Sequence, residues 1–274
     1  MSAESRRLLR QGATIALVPT MGFLHNGHLA LMTEGKKRCD KTVASIFVNP
    51  TQFAPGEDLD CYPRDFQRDV ALAEEKGVDI IFAPTVDDLY GKDFQTFVEL
   101  TQLPGHLCGI SRPTHFRGVA TIVAKLFNIV KPHVAVFGEK DRQQLTIIKQ
   151  MARDLNFDVE IVGVPIVREK NGLAMSSRNA HLAPDQIPAA LSLSGALKKA
   201  RKMVKDGIFN SLKIIDAGAA MIQSHPGASI DYISICDPET LVDVDVIAKP
   251  ALMALAVRLG DTRLIDNDIL FPGK

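Results

Sequence analysis

Four short polar clusters hold the residues best suited to chemistry. The first is Pro19-Thr20-Met21-Gly22-Phe23-Leu24-His25-Asn26-Gly27-His28. It follows a β-branched run over residues 14–18 and opens helical spacing over 28–39, with Leu29, Leu31 and Met32 on the apolar side. A helix N-terminus offers unpaired N–H groups and the positive end of a dipole, which suits phosphate. Gly22 and Gly27 permit close backbone approach. His25 and His28 stand three apart and share a face near the helix start, where two imidazoles can hydrogen-bond nucleotide phosphates. A metal-binding pair and a purely structural pair are the other readings, although H-E-x-x-H is absent and no third ligand is evident. Neither a P-loop nor G-x-G-x-x-G occurs.

The second cluster, Asn49-Pro50-Thr51-Gln52-Phe53, ends a strand-like run over 42–48. Its neutral amides can read hydroxyl or carboxylate groups; a plain proline turn is the alternative. The third runs Gly138-Glu139-Lys140-Asp141-Arg142-Gln143-Gln144 after strand-like residues 134–137. Gly138 allows backbone approach, Lys140 brings a mobile cation for phosphate, and Asp141 can accept from ribose hydroxyls. Gln144 follows one helical turn after Lys140 on the same side; a charged turn is the alternative. The fourth is Met175-Ser176-Ser177-Arg178-Asn179. Its hydroxyls and guanidinium can clamp phosphates, or the segment can merely cap a helix.

The elements that must position these clusters alternate. Strand signals at 14–18, 42–48, 79–83, 134–137 and 159–167 are separated by helical ones at 28–39, from Pro63 to Gly77, 116–130 and 143–155, with a weaker strand signal at 96–100. Such alternation predicts an α/β fold: a Rossmann-like, mainly parallel sheet with helices on both faces. Ligands of such sheets bind beyond the carboxyl ends of the strands, where the first three clusters fall. After a polar turn at Glu169-Lys170-Asn171-Gly172, two helices (184–206, 211–224) and three strands (230–236, 252–257, 262–270) predict a smaller α+β C-terminal domain. The expected division is 1–168, binding nucleotide and acid substrate, and 169–274, a C-terminal lid.

Composition narrows the function. Lys plus Arg and Asp plus Glu are each 32 in 274 residues, so net charge is zero. Nucleic-acid binding by phosphate contacts favours a basic excess, so a small-molecule substrate is expected and nucleic acid is not. No apolar run spans a membrane, and the N-terminus lacks a secretory signal. Cys39, Cys61, Cys108 and Cys236 are scattered without C-x-x-C, as expected of reduced thiols in a cytoplasmic protein.

The H-x-G-H pattern resembles the nucleotidyl-transferase superfamily. Taken with SIFVNPTQF (45–53), RPTHFRGV (112–119), FGEKD, MSSRN and LGDTRLIDN (259–267), the chain resembles the pantothenate synthetase (pantoate–β-alanine ligase) family along nearly its whole length. The resemblance implies ATP-dependent condensation of pantoate with β-alanine through a pantoyl adenylate, releasing pyrophosphate and AMP. It implies Mg²⁺ with ATP, and a homodimer. By matching motif, Met21, Gly22, Phe23, Leu24, His25, Asn26, Gly27 and His28 form the first ATP segment. Gly138, Glu139, Lys140 and Asp141 form the second, Val167 an adenine-side backbone contact, and Met175, Ser176, Ser177 and Arg178 the phosphate loop. Gln52 and Gln144 match the pantoate-binding glutamines, and Asn49, in the same cluster as Gln52, is expected to bind the substrate with them.

His28 holds a position assigned to a proton donor, but stabilising phosphate charge is the more physical task for both histidines, together with Lys140. Three departures stand out. About a dozen residues precede the 14–18 run, where the family has a further strand and part of a helix. Cys108 replaces a frequent glutamate, and Arg142 an aromatic or small residue. Other functions fit less well. A nucleotidyltransferase acting on a phosphate acceptor calls for more cations than Gln52 and Gln144 provide. A tRNA-charging enzyme needs a further domain. A non-catalytic ATP-binding homologue is separated from all of these by turnover.

Overall fold

The computed structural model describes residues 1–272 and divides into two units, Met1–Thr101 with Arg112–Ile166, and Gln102–Ser111 with Val167–Lys274. In the first, β1 (Ile15–Thr20), β2 (Lys41–Ile46), β3 (Ile80–Phe82), β4 (Val134–Gly138) and β5 (Glu160–Val164) form one parallel sheet in the order β3-β2-β1-β4-β5. The chain leaves β1 toward β2 on one side and returns to β4 on the other. The ends of β1 and β4 therefore flank a topological switch point, where α/β sheets bind ligands. Pro19 brings no N–H to the ladder, and Thr20 Oγ1 donates to the Ser45 carbonyl at 2.7 Å.

Strand side chains alternate between two apolar layers, as the period of two requires. Ile15, Leu17, Val43, Ala135 and Phe137 pack in one layer with residues of α1 (Ser2–Arg10), α6 (His115–Val130) and α7 (Arg142–Asp154). Ala16, Val18, Ala44, Val134 and Val136 pack in the other with α2 (Asn26–Arg38) and Ala73 of α3 (Phe66–Glu75). A short α4 (Val86–Leu89) follows β3. The α/β architecture read from the sequence is thus the one observed.

Three local expectations change. The residues before β1, to which the sequence assigned no element, form α1, which buries Leu8 in the first layer, and β1 pairs with β2 and β4. The helix expected from Pro63 begins at Phe66, because the Asp65 carboxylate caps it by accepting from Arg68 N. Residues 96–100 form no strand; Val98 N donates to the Thr121 side chain of α6 instead of to a neighbouring strand.

The second unit carries α5 (Cys108–Ser111), α8 (Ile187–Lys205), α9 (Ser211–Gln223) and an antiparallel sheet, β6 (Ala228–Cys236), β7 (Ala251–Leu259) and β8 (Thr262–Leu270), with β7 central. Residues 184–186 make a separate short turn before α8. Leu193, Leu197 and Ile222 meet Met253, Leu255 and Val257 in its core. No helix among the described residues is long and apolar enough to cross a membrane.

Candidate active site

The loop after β1 turns through two consecutive left-handed residues, Gly22 (φ 81°) and Phe23 (φ 49°). Glycine is required at the first, where a Cβ would stand 2.9 Å from Asp69 Oδ2. Asp69, on α3 and 1% exposed, accepts from Phe23 N and Leu24 N, both at 2.7 Å. Its carboxylate thus replaces water for two amides of the turn. The guanidinium of Arg68 lies 5.3 Å from the Phe23 ring centroid.

His25 and His28 stack at the start of α2, ring centroids 4.0 Å apart. His25 Nδ1 accepts from Gly27 N at 3.1 Å, and His28 Nδ1 accepts from His25 N at 3.3 Å. A backbone N–H can only donate, so both rings carry their proton on Nε2. Burial, then the charges of Lys140 and Arg68, lowers the His25 pKa from 6.5 to about 4. Burial, then His25 and Lys140, lowers that of His28 well below 6.5. At neutral pH both are neutral imidazoles offering Nε2–H, which fits a hydrogen-bonding role better than that of a proton donor. Among the described residues no group of three or more His, Cys, Asp and Glu is arranged to hold a metal ion.

Beyond β2, Asn49 and Gln52 are both buried. Asn49 Nδ2 donates to the Gly118 carbonyl at 3.2 Å and to Gln52 Oε1 at 3.1 Å, while its Oδ1 accepts from Tyr90 OH and Thr51 Oγ1. Gln52 Nε2 points at Met21 Sδ, 2.9 Å away. The Gln52 carbonyl accepts from His115 Nδ1 at 2.8 Å and from Arg112 at 3.2 Å. Arg112 grips Glu57 with two 2.6 Å bonds. Burial would raise the Glu57 pKa, but Arg112 outweighs it and holds the carboxyl low. A Cβ on Gly118 would stand 2.3 Å from the Thr51 carbonyl oxygen, so α6 can approach this turn only through a glycine.

At the end of β4, a Cβ on Gly138 would meet nothing within 4 Å, leaving open space above the strand. Glu139 and Lys140 are half-buried, Asp141 is exposed, and Gln144 is half-buried on the first turn of α7. The charge of Lys140 acts on both histidines, which links this cluster to the first. Arg142 lies 3.8 Å from Glu139 Oε1, its Nε buried without a hydrogen-bond partner.

Val167 and Met175–Arg178 lie in the second unit. Met175 N donates to the Val167 carbonyl at 3.0 Å, and Ser176 Oγ accepts from Arg178 N. Asn179 ties this segment to Glu169 at 2.7 Å. Arg168 makes a two-pronged bond, 2.6 and 2.9 Å, to the buried Asp266 within the 259–267 block. Cys108 also belongs to this unit, where its sulfur interacts electrostatically with Arg263 and Tyr232.

Sequence reasoning did not single out Asp69, Thr51, Tyr90, Gly118, Arg112 or His115 as site-building residues. The last three fall within the stretch recognised at 112–119, but Asp69 and Tyr90 carry no local signal.

A parallel sheet with stacked donor imidazoles at its switch point defines a nucleotide-binding α/β protein of the H-x-G-H kind. Residues 1–269 match the family model described as pantoate-beta-alanine ligase, and the chain belongs to that family. A pantothenate synthetase from Desulfatibacillum aliphaticivorans is 57% identical over 272 residues, covering 99% of this chain and 97% of that protein. A crystal structure of pantothenate synthetase from Thermus thermophilus matches with a TM-score of 0.94 at 45% identity, over 99% of this chain and 98% of that one. A pantoate-beta-alanine ligase from Francisella tularensis, complexed with beta-gamma ATP and beta-alanine, matches with a TM-score of 0.81 at 33% identity, over 98% and 94% of the two chains.

Proposed function

We propose that this chain joins pantoate to β-alanine at the expense of ATP, by way of a pantoyl adenylate. A pantoate carboxylate oxygen attacks the α-phosphorus of MgATP; the P–O bond to the β-phosphate breaks and pyrophosphate leaves. The β-alanine nitrogen then attacks the acyl carbon, the bond to AMP breaks, and the amine proton is released. The observation that carries this reading is the pair of neutral Nε2–H donors at the N-terminus of α2, electrostatically coupled to Lys140. Such an array stabilises charge developing on the departing phosphates without transferring a proton.

Gln52 and Gln144 hold pantoate, Gly138 to Asp141 receive ribose and phosphate, and Val167 meets the adenine. Met175 to Arg178 form the phosphate loop, in which Ser176 and Ser177 offer hydroxyls and Arg178 a guanidinium. Asn49 acts through Gln52. No side chain forms a covalent intermediate; positioning and electrostatics carry the reaction. A cytoplasmic homodimer completes the reading. The test is pantoate-dependent exchange of labelled pyrophosphate into ATP, without β-alanine. Exchange that requires pantoate, followed by pantothenate and AMP once β-alanine is added, supports the scheme. Exchange indifferent to pantoate overturns it.

A further inference from the structure

Gln52 carries an amide whose two ends differ, one accepting and one donating. Which end meets a substrate decides what the site can recognise. The surroundings determine this through obligate partners. The Gly118 carbonyl can only accept, so the Asn49 side chain must turn Nδ2 toward it. The second proton of Asn49 Nδ2 then reaches Gln52, whose carbonyl oxygen must face it. The remaining Asn49 oxygen receives two hydroxyls, Tyr90 OH at 2.8 Å and Thr51 Oγ1 at 2.9 Å. Burial pushes the Tyr90 phenol pKa up, keeping its proton in place to donate. Asn49 is 1% exposed and every polar atom of its side chain is engaged, so it has no capacity left for a ligand.

We propose that Tyr90 and Thr51 are positioning residues that clamp Asn49 and thereby hold Gln52 with its NH₂ group toward the β1 loop, so that this position accepts only a substrate presenting an oxygen acceptor. The inference rests on Gln52 facing the acid substrate. It assigns specificity to a tyrosine that meets the substrate only through two other side chains. Tyr90 sits in an aromatic setting, 6.3 Å from Phe47 and 4.9 Å from Phe94 between ring centroids, which fixes the phenol. Phenylalanine preserves that packing while deleting the hydroxyl.

The experiment measures pantoate-dependent pyrophosphate exchange in Tyr90→Phe, Thr51→Val, the double variant, Thr51→Ser and Gln52→Ala, with thermal unfolding of each. A buried acceptor stripped of both donors is costly. The double variant should raise the pantoate KM about tenfold, equivalent to about 1.4 kcal/mol, with the ATP KM and kcat within about twofold. Tyr90→Phe should give about a threefold rise, so that the readout survives if the double variant folds poorly. Thr51→Ser, which keeps the hydroxyl, should retain the parental KM. A raised pantoate KM in Gln52→Ala alone, with the hydroxyl variants unchanged, refutes the clamp and leaves Gln52 as a substrate contact. Unchanged pantoate KM in Gln52→Ala refutes both. Equal rises in the KM of ATP and pantoate reduce Tyr90 to a general structural role and also refute the clamp.

Discussion

Replacing Asp69 with asparagine tests how the histidine loop is held. The change is nearly isosteric, so packing against Gly22 survives. Its effect falls on two hydrogen bonds of 2.7 Å from Phe23 N and Leu24 N. Bonds to a charged acceptor contribute about 1.5–3 kcal/mol each. Asparagine can accept one of them and must aim its own NH₂ at the other backbone N–H, leaving that amide without an acceptor. The expected net loss is about 2–4 kcal/mol. At roughly 2–4 °C per kcal/mol for a unit of this size, the melting temperature should fall by roughly 5–15 °C. The two left-handed residues rely on this carboxylate, and His25 lies two residues beyond them. A displacement of about 1 Å at a reacting site can cost about 100-fold in rate. Pyrophosphate exchange at saturating pantoate, below the melting transition, should therefore fall by one to two orders of magnitude. A melting temperature within about 1 °C of the parent, with unchanged exchange, would refute the argument that Asp69 shapes the loop.

If the cation acting on both histidines also meets departing phosphate charge, as proposed, Lys140→Ala should reduce adenylate formation by at least about tenfold; near-normal exchange would remove it from that role. Gly118→Ala forces a methyl within 2.3 Å of the Thr51 carbonyl oxygen. It should cost about 1–3 kcal/mol in urea unfolding and raise the pantoate KM more than the ATP KM. The folded His25 takes a proton only near pH 4, against 6.5 for the free side chain. Its contribution is therefore complete above about pH 6.5 and declines as pH falls toward 4, where the unfolded chain is protonated first, by up to about 3 kcal/mol. Urea unfolding of the parent and His25→Gln across that range should show the steeper loss in the parent; parallel curves would contradict the shift.

The strands are legible because apolar, β-branched runs are bounded by Pro, Gly and Asn, and a parallel sheet sends the residues after each strand to one edge. Asn49, Gln52, His25, His28 and Lys140 can therefore be gathered from the sequence. Their supports cannot. Asp69 is separated from Phe23 by 46 residues and lies on a helix whose local pattern gives no hint of a polar partner. Tyr90 follows a four-residue helix in a stretch without periodicity. In α1, Leu8 and Leu9 supply too little apolar spacing to mark a helix. Residues 96–100 have strand composition, yet tertiary context overrides it: a threonine on α6 takes the amide that a strand neighbour would need.

The polar residues share a directional logic. Each of three site residues has its accepting atom occupied from behind: His25 Nδ1 by Gly27 N, His28 Nδ1 by His25 N, and Gln52 Oε1 by Asn49. What remains on all three is N–H. Two carboxylates nearby are turned away from the same task, Asp69 onto loop amides and Glu57 onto Arg112. Acceptors near a developing negative charge would oppose it, whereas donors fixed before the substrate arrives need no reorganisation as the charge appears. A site built from donors whose directions are set from behind, by main-chain amides for the histidines and by Asn49 for Gln52, is matched to polyphosphate and carboxylate together, and burial beside Lys140 leaves the histidines neutral. In the proposed mechanism their contribution lies in where their protons point, a direction dictated by main-chain amides that substitution of neighbouring side chains does not remove.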